Sequence, residues 1–257
     1  DKPLPVQYVD WLSAFVVGDW GKSFQNNLPV TKMIQRKLPF TIQLAIGSLV
    51  IGVVFGIATG VVAALKRNTK WDIFATSSAM VALAIPEFWL ALVLILIFAV
   101  QFELVPVFGS PLIWQDPAGA IQSMILPWLA LGIGGAATLM RQSRSSMLET
   151  MGEDFIRTAR SKGVSERVVI FNHALRNSLL PVVTILGLRI GRIIGGAVII
   201  ETMFSIPGIG QLSVVALTRA DYPVIMAITM ISSVAIIVAN LVTDLAYSYI
   251  DPRIKYA

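Results

Sequence analysis

The chain has 257 residues, of which 56% are hydrophobic and only 14% are charged, with a net charge of +5 and a mean hydropathy of +0.76. Because a soluble domain carries about 25% charged residues, this composition excludes an ordinary soluble protein and indicates a membrane protein. The chain has no cysteine and one histidine, His173. These counts exclude disulfides and the metal or catalytic sites that need several such residues, and no cofactor is expected.

Five apolar runs follow an N-terminal segment, 1–38, that has no continuous apolar core. Each run approaches the ~20 residues that a membrane-spanning helix needs, and none shows the alternation of barrel strands. The third is short and is expected to begin near 121. The sequence therefore predicts an all-α polytopic membrane protein with five transmembrane helices, at 39–65, 73–100, 124–140, 179–200 and 223–249.

The distribution of Lys and Arg predicts the orientation. With the N-terminus outside, the inner segments 66–72, 141–178 and 250–257 hold 12 basic residues and the outer segments hold 6, of which 5 lie in 1–38. The C-terminus is thus expected in the cytoplasm. An outer N-terminus without a signal peptide further predicts a sixth span upstream of this sequence.

The long basic loop 141–180 is the most informative part of the chain. A helix over 143–162 is expected to end at Gly163, which permits a positive φ angle. Ser165 is expected to cap a second short helix. Such a hairpin suits docking to a cytoplasmic partner, although a solvated loop held against lipid headgroups by its charge is the alternative.

At this loop the chain resembles the permease subunits of type I ABC importers, the binding-protein-dependent class. Arg157-Thr158-Ala159 stands at the Glu-Ala-Ala position of their cytoplasmic motif, Gly163 at its Gly, and His173-Ala-Leu-Arg176 at its Ile-x-Leu-Pro. The variant with Arg-Thr-Ala-Arg and His-Ala-Leu-Arg-Asn is similar to the dipeptide, oligopeptide and nickel branch. Further blocks agree with that branch: 18–23, 85–90, 195–198, 201–210, 221–223 and 251–254.

The resemblance implies a permease subunit in a bacterial or archaeal inner membrane, importing peptides, with nickel or haem as alternative cargo. It implies a second permease subunit, two ATP-binding subunits and an extracytoplasmic substrate-binding protein as partners, besides membrane lipid, and no nucleic acid. ATP hydrolysis is expected on the partners, because Gly21-Lys22-Ser23 lacks the rest of a phosphate-binding loop. The implied docking residues are Arg157, Thr158, Ala159, Arg160, Gly163, Ser165, Glu166, His173 and Arg176.

Charges within the apolar runs mark a second candidate site. Arg189 and Arg192 share a helix face, and Glu87 beside Pro86 is a candidate partner. Intramembrane charges usually face a cavity or a counter-ion. These three residues are therefore expected either to line the translocation pathway or to form a structural ion pair.

Two stripes of small residues are expected to be helix-packing surfaces. They comprise Gly52, Gly56 and Gly60 on the first span, and Gly187, Gly191 and Gly195 on the fourth. The outer loop 201–223, rich in Gly and Pro, is similar to the region of this family that faces the binding protein.

The organisation predicted from the sequence is an extracytoplasmic segment 1–38, a permease domain 39–250 containing the coupling loop 141–180, and a cytoplasmic tail 251–257. A self-contained channel or secondary transporter is the alternative of another class, but it does not explain the long basic loop. An intramembrane enzyme lacks a catalytic constellation.

Overall fold

The computed structural model describes residues 2–106 and 109–250, except for the side chains of 188, 190–196, 244 and 246–250. Regular structure in these ranges is helical, with one isolated β-bridge between Lys22 and Pro29. π-Helical turns at Ile95–Gln101 and Val169–Leu175 continue α4 and α7. The α-helices are α1 (Leu4–Val16), α2 (Val30–Leu65), α3 (Lys70–Ala84), α4 (Glu87–Leu94), α5 (Pro117–Met151), α6 (Asp154–Ser161), α7 (Glu166–Val168), α8 (Arg176–Ser178), α9 (Leu180–Gly196), α10 (Val198–Met203), α11 (Ile209–Thr218) and α12 (Tyr222–Ile250).

Three of these helices are long and apolar enough to cross a membrane: α2, α5 and the Tyr222–Thr243 part of α12. Two further pairs of consecutive helices are long and apolar enough when each pair is taken together, and they provide up to two more spans. The first joins Lys70–Ala84 to Glu87–Gln101 at 99°, and the second joins Glu166–Ser178 to Leu180–Gly187 at 44°. Three of the five predicted spans are therefore uninterrupted helices and the second is a bent pair, whereas the fourth lies mainly in α9, because the Glu166–Ser178 part of its pair belongs to the basic loop 141–180.

The prediction of one helix over 73–100 is wrong, because the chain turns sharply at Pro86. Ile85 takes an extended conformation, with ψ at 124°. A residue before proline is sterically disfavoured in the helical region, so α3 ends here and α4 begins in a new direction. The bend places Glu87 in the first turn of α4.

Other predicted boundaries also shift. α2 begins at Val30 and contains Pro39, and α5 begins after Asp116, whose carboxylate accepts a hydrogen bond from the Gly119 amide at 3.0 Å. The fourth run breaks at Ala197, between α9 and α10. The helix expected over 143–162 is likewise two helices, since glycine is a poor helix former and α5 ends at Met151, before Gly152.

α2 and α5 share the most extensive helix contact in the described part of the chain, and glycines allow it. Gly52, Gly56 and Gly60 are buried on the face of α2 that meets α5. A Cβ atom on Gly56 would lie 2.7 Å from the Ala136 carbonyl oxygen, and one on Gly60 would lie 2.6 Å from that of Met140. In lipid the hydrophobic effect does not drive helices together, so van der Waals contact between closely approaching backbones drives their packing instead.

A buried ion pair joins α3 to the same α5 helix. The Arg144 guanidinium donates from Nε to Asp72 Oδ1 at 2.5 Å and from Nη2 to Oδ2 at 2.8 Å. The Asn68 amide donates to the same carboxylate at 2.9 Å. The two hydrogen bonds from the guanidinium and the one from the Asn68 backbone N–H thus hold the turn between α2 and α3 against α5.

We expect Asp72→Asn to destabilise the protein by about 2 kcal/mol, because it leaves a partly buried guanidinium without its counter-charge. Asp10→Asn is the matched control, since the Asp10 pair with Lys2 is exposed on both sides and such pairs contribute little. Thermal unfolding in detergent measures both variants. Equal melting temperatures for the two variants would contradict the structural role of the Asp72–Arg144 pair.

Candidate functional site: the basic loop and the intramembrane charges

The basic loop forms a hairpin that turns at Gly163. α6 ends one residue before Lys162, and Gly163 follows with a φ angle of +76°. The Gly163 amide donates to the Arg160 carbonyl at 3.0 Å, and the Val164 amide donates to the Ala159 carbonyl at 3.2 Å. These bonds close the end of α6 and send the chain back along α7, in the left-handed conformation expected of this glycine.

An ion pair spans the turn. The Arg160 guanidinium donates from Nη2 and Nε to the two carboxylate oxygens of Glu166, at 2.6 and 3.1 Å. Arg157 pairs with Asp154 within α6, at 3.2 Å. All four side chains are exposed to solvent to a large extent, so these pairs orient the hairpin more than they stabilise it.

One face of the hairpin packs on the ends of α2 and α5. Ile156, Val169 and Ala174 are fully buried, and they share a core with Val61 of α2 and Met147 of α5. The hairpin is therefore attached to the helices that cross the membrane, and its movement is tied to theirs.

The opposite face of the hairpin is exposed and mixes charge with large apolar groups. Phe171 is 53% exposed, Phe155 is 43% exposed and Val168 is 38% exposed. Exposed apolar side chains among charges are typical of a protein interface rather than of a loop that only meets water.

The remaining predicted loop residues lie around this surface. Ser165 stands before α7, but its side chain makes no capping hydrogen bond; its backbone carbonyl instead accepts from the Val168 amide at 2.9 Å. Ser165 is therefore the N-cap residue of α7 as predicted, but it caps the helix through its backbone and not through its side chain. His173 is half-buried in the second π-helical turn, where its carbonyl accepts from Asn177 at 2.7 Å, and Thr158 and Arg176 are exposed.

Two of the three intramembrane charges meet α5 within one turn. Arg189 donates from Nη2 to the Leu131 carbonyl at 2.7 Å, and its guanidinium occupies the space beside Gly135. Glu87 is exposed in the described chain and lines a cavity of about 260 Å³ with Leu131. The Arg192 side chain lies outside the described residues, so a pair between Glu87 and the two arginines stays a prediction.

The second glycine stripe is described at one position only. A Cβ atom on Gly187 would overlap the Thr243 side chain of α12, so α9 and α12 approach closely here. Gly191 and Gly195 lie among the residues whose side-chain surroundings are outside the described part, so the packing predicted there stays a prediction.

Two buried carboxylates, Glu201 and Asp221, lie at the end of the molecule opposite the hairpin, and the sequence alone did not indicate their burial. Glu201 is fully buried and accepts a hydrogen bond from Thr41 at 2.7 Å. Asp221 accepts from the Ser23 hydroxyl at 2.5 Å and from the Phe24 amide at 3.0 Å. Both acids stand in sequence blocks that resemble the family, but Thr41 and Ser23, which donate to them, lie more than 150 residues away along the chain.

Comparison with known proteins decides the family. A model of the binding-protein-dependent transport system inner membrane component family matches residues 52–256. The chain belongs to this family. The predicted identification as a type I ABC importer permease, and the all-α membrane fold, are confirmed.

Relatives within this permease family cover the whole chain. The oligopeptide transport system permease protein AppB of Bacillus subtilis is 41% identical over 257 residues, which is 99% of this chain and 81% of AppB. The dipeptide transport system permease protein DppB of Escherichia coli K12 is 37% identical over 279 residues, covering 100% of this chain and 82% of DppB. These relatives place the chain in the dipeptide and oligopeptide branch.

A solved structure shares the permease fold. The crystal structure of an amino acid ABC transporter with histidines superposes with a TM-score of 0.62 at 17% identity, over 85% of this chain and 94% of the other. Family and fold together make this chain a multi-pass inner-membrane component of a transport complex.

We expect Gly163→Asn and Gly163→Val to differ, although no neighbouring atom lies within 4 Å of either Cβ. Asparagine tolerates a positive φ angle, whereas a β-branched residue is strained by about 1–2 kcal/mol. Gly163→Val should therefore lower ATP-driven uptake while Gly163→Asn retains most of it, at matched expression. Equal uptake by the two variants would show that the left-handed turn is not required.

Proposed function

We propose that this permease forms half of the translocation pathway of an ATP-driven importer of di- or oligopeptides. The observation that carries this proposal is the exposed apolar and charged face of the hairpin at 154–178, in a chain whose relatives are named oligopeptide and dipeptide permeases. Those names favour peptides over nickel or haem as cargo. A self-contained channel needs no partner to hydrolyse ATP, so it does not account for a surface that suits docking of one.

Two ATP-binding subunits, a second permease subunit and an extracytoplasmic binding protein complete the proposed complex. The hairpin face with Phe155, Val168 and Phe171 is the surface proposed to dock one ATP-binding subunit. Its buried underside supports this role, because the core shared with α2 and α5 transmits force in either direction. ATP hydrolysis is then performed by the partner and not by this chain.

The orientation follows from the same assignment. The hairpin is proposed to face the cytoplasm, and the N-terminal segment 1–38 and the loop 201–223 are proposed to face outward. The tail 251–257, predicted to be cytoplasmic, lies outside the described residues. The membrane-crossing helices of the permease domain 39–250 lie between these two sides, although α2 begins at Val30, before the predicted boundary. The basic residues of the inner loops support this arrangement.

Glu87, Arg189 and Arg192 are proposed to line the pathway. Glu87 is exposed beside the bend of a membrane-spanning pair, and a carboxylate at this depth is too costly to face lipid. A charge in this position has to face either water in the pathway or a partner subunit. Arg189 reaches the same turn of α5 from α9.

The docking surface is tested by Phe171→Ser, with Phe24→Ser as the matched control. Both phenylalanines are exposed, at 53% and 67%, but Phe24 lies beside Asp221 at the opposite end of the molecule. An aromatic anchor contributes about 2 kcal/mol or more to an interface. Phe171→Ser should therefore reduce the co-purified ATP-binding subunit at least about tenfold, and Phe24→Ser should not.

Full recovery of the ATP-binding subunit with Phe171→Ser would contradict docking at this face. Loss of the subunit with Phe24→Ser alone would place the docking surface at the opposite end and invert the proposed orientation.

A further inference from the structure

Glu201 is a fully buried carboxylate in the short helix α10, at the end of the molecule that is proposed to face outward. Its Oε1 accepts from the Thr41 hydroxyl of α2 at 2.7 Å, and its Oε2 accepts from the Gln211 amide of α11 at 2.9 Å. The Gly210 amide also bonds to this carboxylate. One side chain of α10 therefore holds both α2 and α11.

Thr41 completes the same arrangement. Its hydroxyl oxygen accepts from the Ile209 amide at 2.8 Å while the hydroxyl donates to Glu201. The first amides of α11 have no partner within their own helix, and here they are satisfied by side chains from two other helices. A carboxylate at a helix N-terminus is also favoured by the helix dipole.

The surrounding backbone is shaped to receive this carboxylate. A Cβ atom on Gly208 would lie 2.3 Å from the Glu201 carboxyl carbon, and one on Gly210 would lie 2.8 Å from the Cα atom of Val198. No larger residue fits at Gly208 without displacing Glu201, so the loop before α11 is built around the acid.

Burial raises the pKa of the Glu201 carboxyl, whereas its hydrogen bonds and the charge of Lys37 on α2 oppose this rise. A charge buried without such partners is strongly destabilising. A hydrophobic residue would fill this space at a lower cost, so packing alone does not account for an acid at this position.

Glu201 also stands between two separate cores. Ile200 on α10 and Phe204 directly after it pack with Leu44 and Met124 in the core of α2, α4 and α5. Ile209 and Leu212 of α11, by contrast, pack in a core with Val30, Ile34 and Val224. The carboxylate is a polar link at the junction of these two cores.

We propose that Glu201 is a positioning residue that, together with Thr41, holds the outer hairpin α10–α11 against α2 in one orientation. The inference rests on the proposed importer function, because the outer hairpin then forms part of the surface that receives cargo. Without the link, each half of the hairpin stays in its own core but the angle between them varies, and delivery of cargo becomes less efficient.

The experiment uses the purified complex with nitroxide labels on Thr202→Cys of α10 and Leu217→Cys of α11, because the proposal concerns the angle between these two helices. Both positions are exposed, and the natural chain has no cysteine. Thr41→Val removes the hydroxyl with little change in volume, and Thr41→Ser retains it as the matched control. Glu201→Gln keeps the shape of the acid but presents an amide NH₂ group, which cannot accept from a backbone amide.

We expect one narrow distance distribution in the wild type and in Thr41→Ser, and a broadened or shifted one in Thr41→Val and Glu201→Gln. In the last two variants the concentration of loaded binding protein that gives half-maximal ATP-driven uptake should rise about tenfold, the scale of one lost charge-assisted hydrogen bond. A residue with only a packing role would lower the melting temperature and leave this concentration unchanged.

Unchanged distances in Thr41→Val and Glu201→Gln would overturn the proposal. Changed distances with an unchanged half-maximal concentration would also overturn it, since Glu201 would then be a packing residue. If the wild-type complex transports no peptide, the proposed function fails, while the distance measurement still decides whether Glu201 holds the hairpin.

Discussion

Close contact between α2 and α5 is the constraint on which the other parts of this permease depend. Two long helices approach until the backbone of one leaves no room for a Cβ atom at Gly56 or Gly60 of the other. In lipid this contact is stabilised by dispersion between well-fitted surfaces. The same two helices supply Leu44 and Met124 to the core that contains Phe204, and Val61 and Met147 to the core beneath the hairpin. The hairpin and the helices around Glu201 are therefore attached to one pair of helices.

Buried polar groups occur where helices of different direction meet, and each is satisfied by side chains or amides from a distant segment. Arg144 and Asp72 link α5 to α3, and Glu201 links α10 to α2 and α11. Gln43 similarly accepts from the Ile113 amide at 2.8 Å and donates to the Pro111 carbonyl at 3.1 Å. Because an unsatisfied polar group in this setting costs several kcal/mol, such links specify geometry more strictly than apolar packing does.

Much of this architecture could be predicted from the sequence, because apolar length and loop charge are local properties. The left-handed turn at Gly163 follows from a single residue type, and the loop motif indicated the family. The bend at Pro86 was foreseeable from the proline, but its 99° angle depends on tertiary packing. Contacts such as Ser23 with Asp221, 198 residues apart, have no local pattern in one sequence. Glu201 stands in one of the blocks that resemble the family, but no local pattern marks its role, since its burial depends on Thr41, Gly208 and Gly210 meeting around it.

In the proposed importer, this chain forms half of the translocation pathway, and a partner that docks on the hairpin supplies the energy of ATP hydrolysis. The measurement that tests this mechanism most directly is uptake of a labelled dipeptide into liposomes containing the reconstituted complex, with the external binding protein and with ATP supplied on the hairpin side. The account predicts uptake that requires both ATP and the binding protein, and that is lost when the ATP-binding subunits are omitted. Uptake by the permease without ATP, driven by an ion gradient, would contradict it.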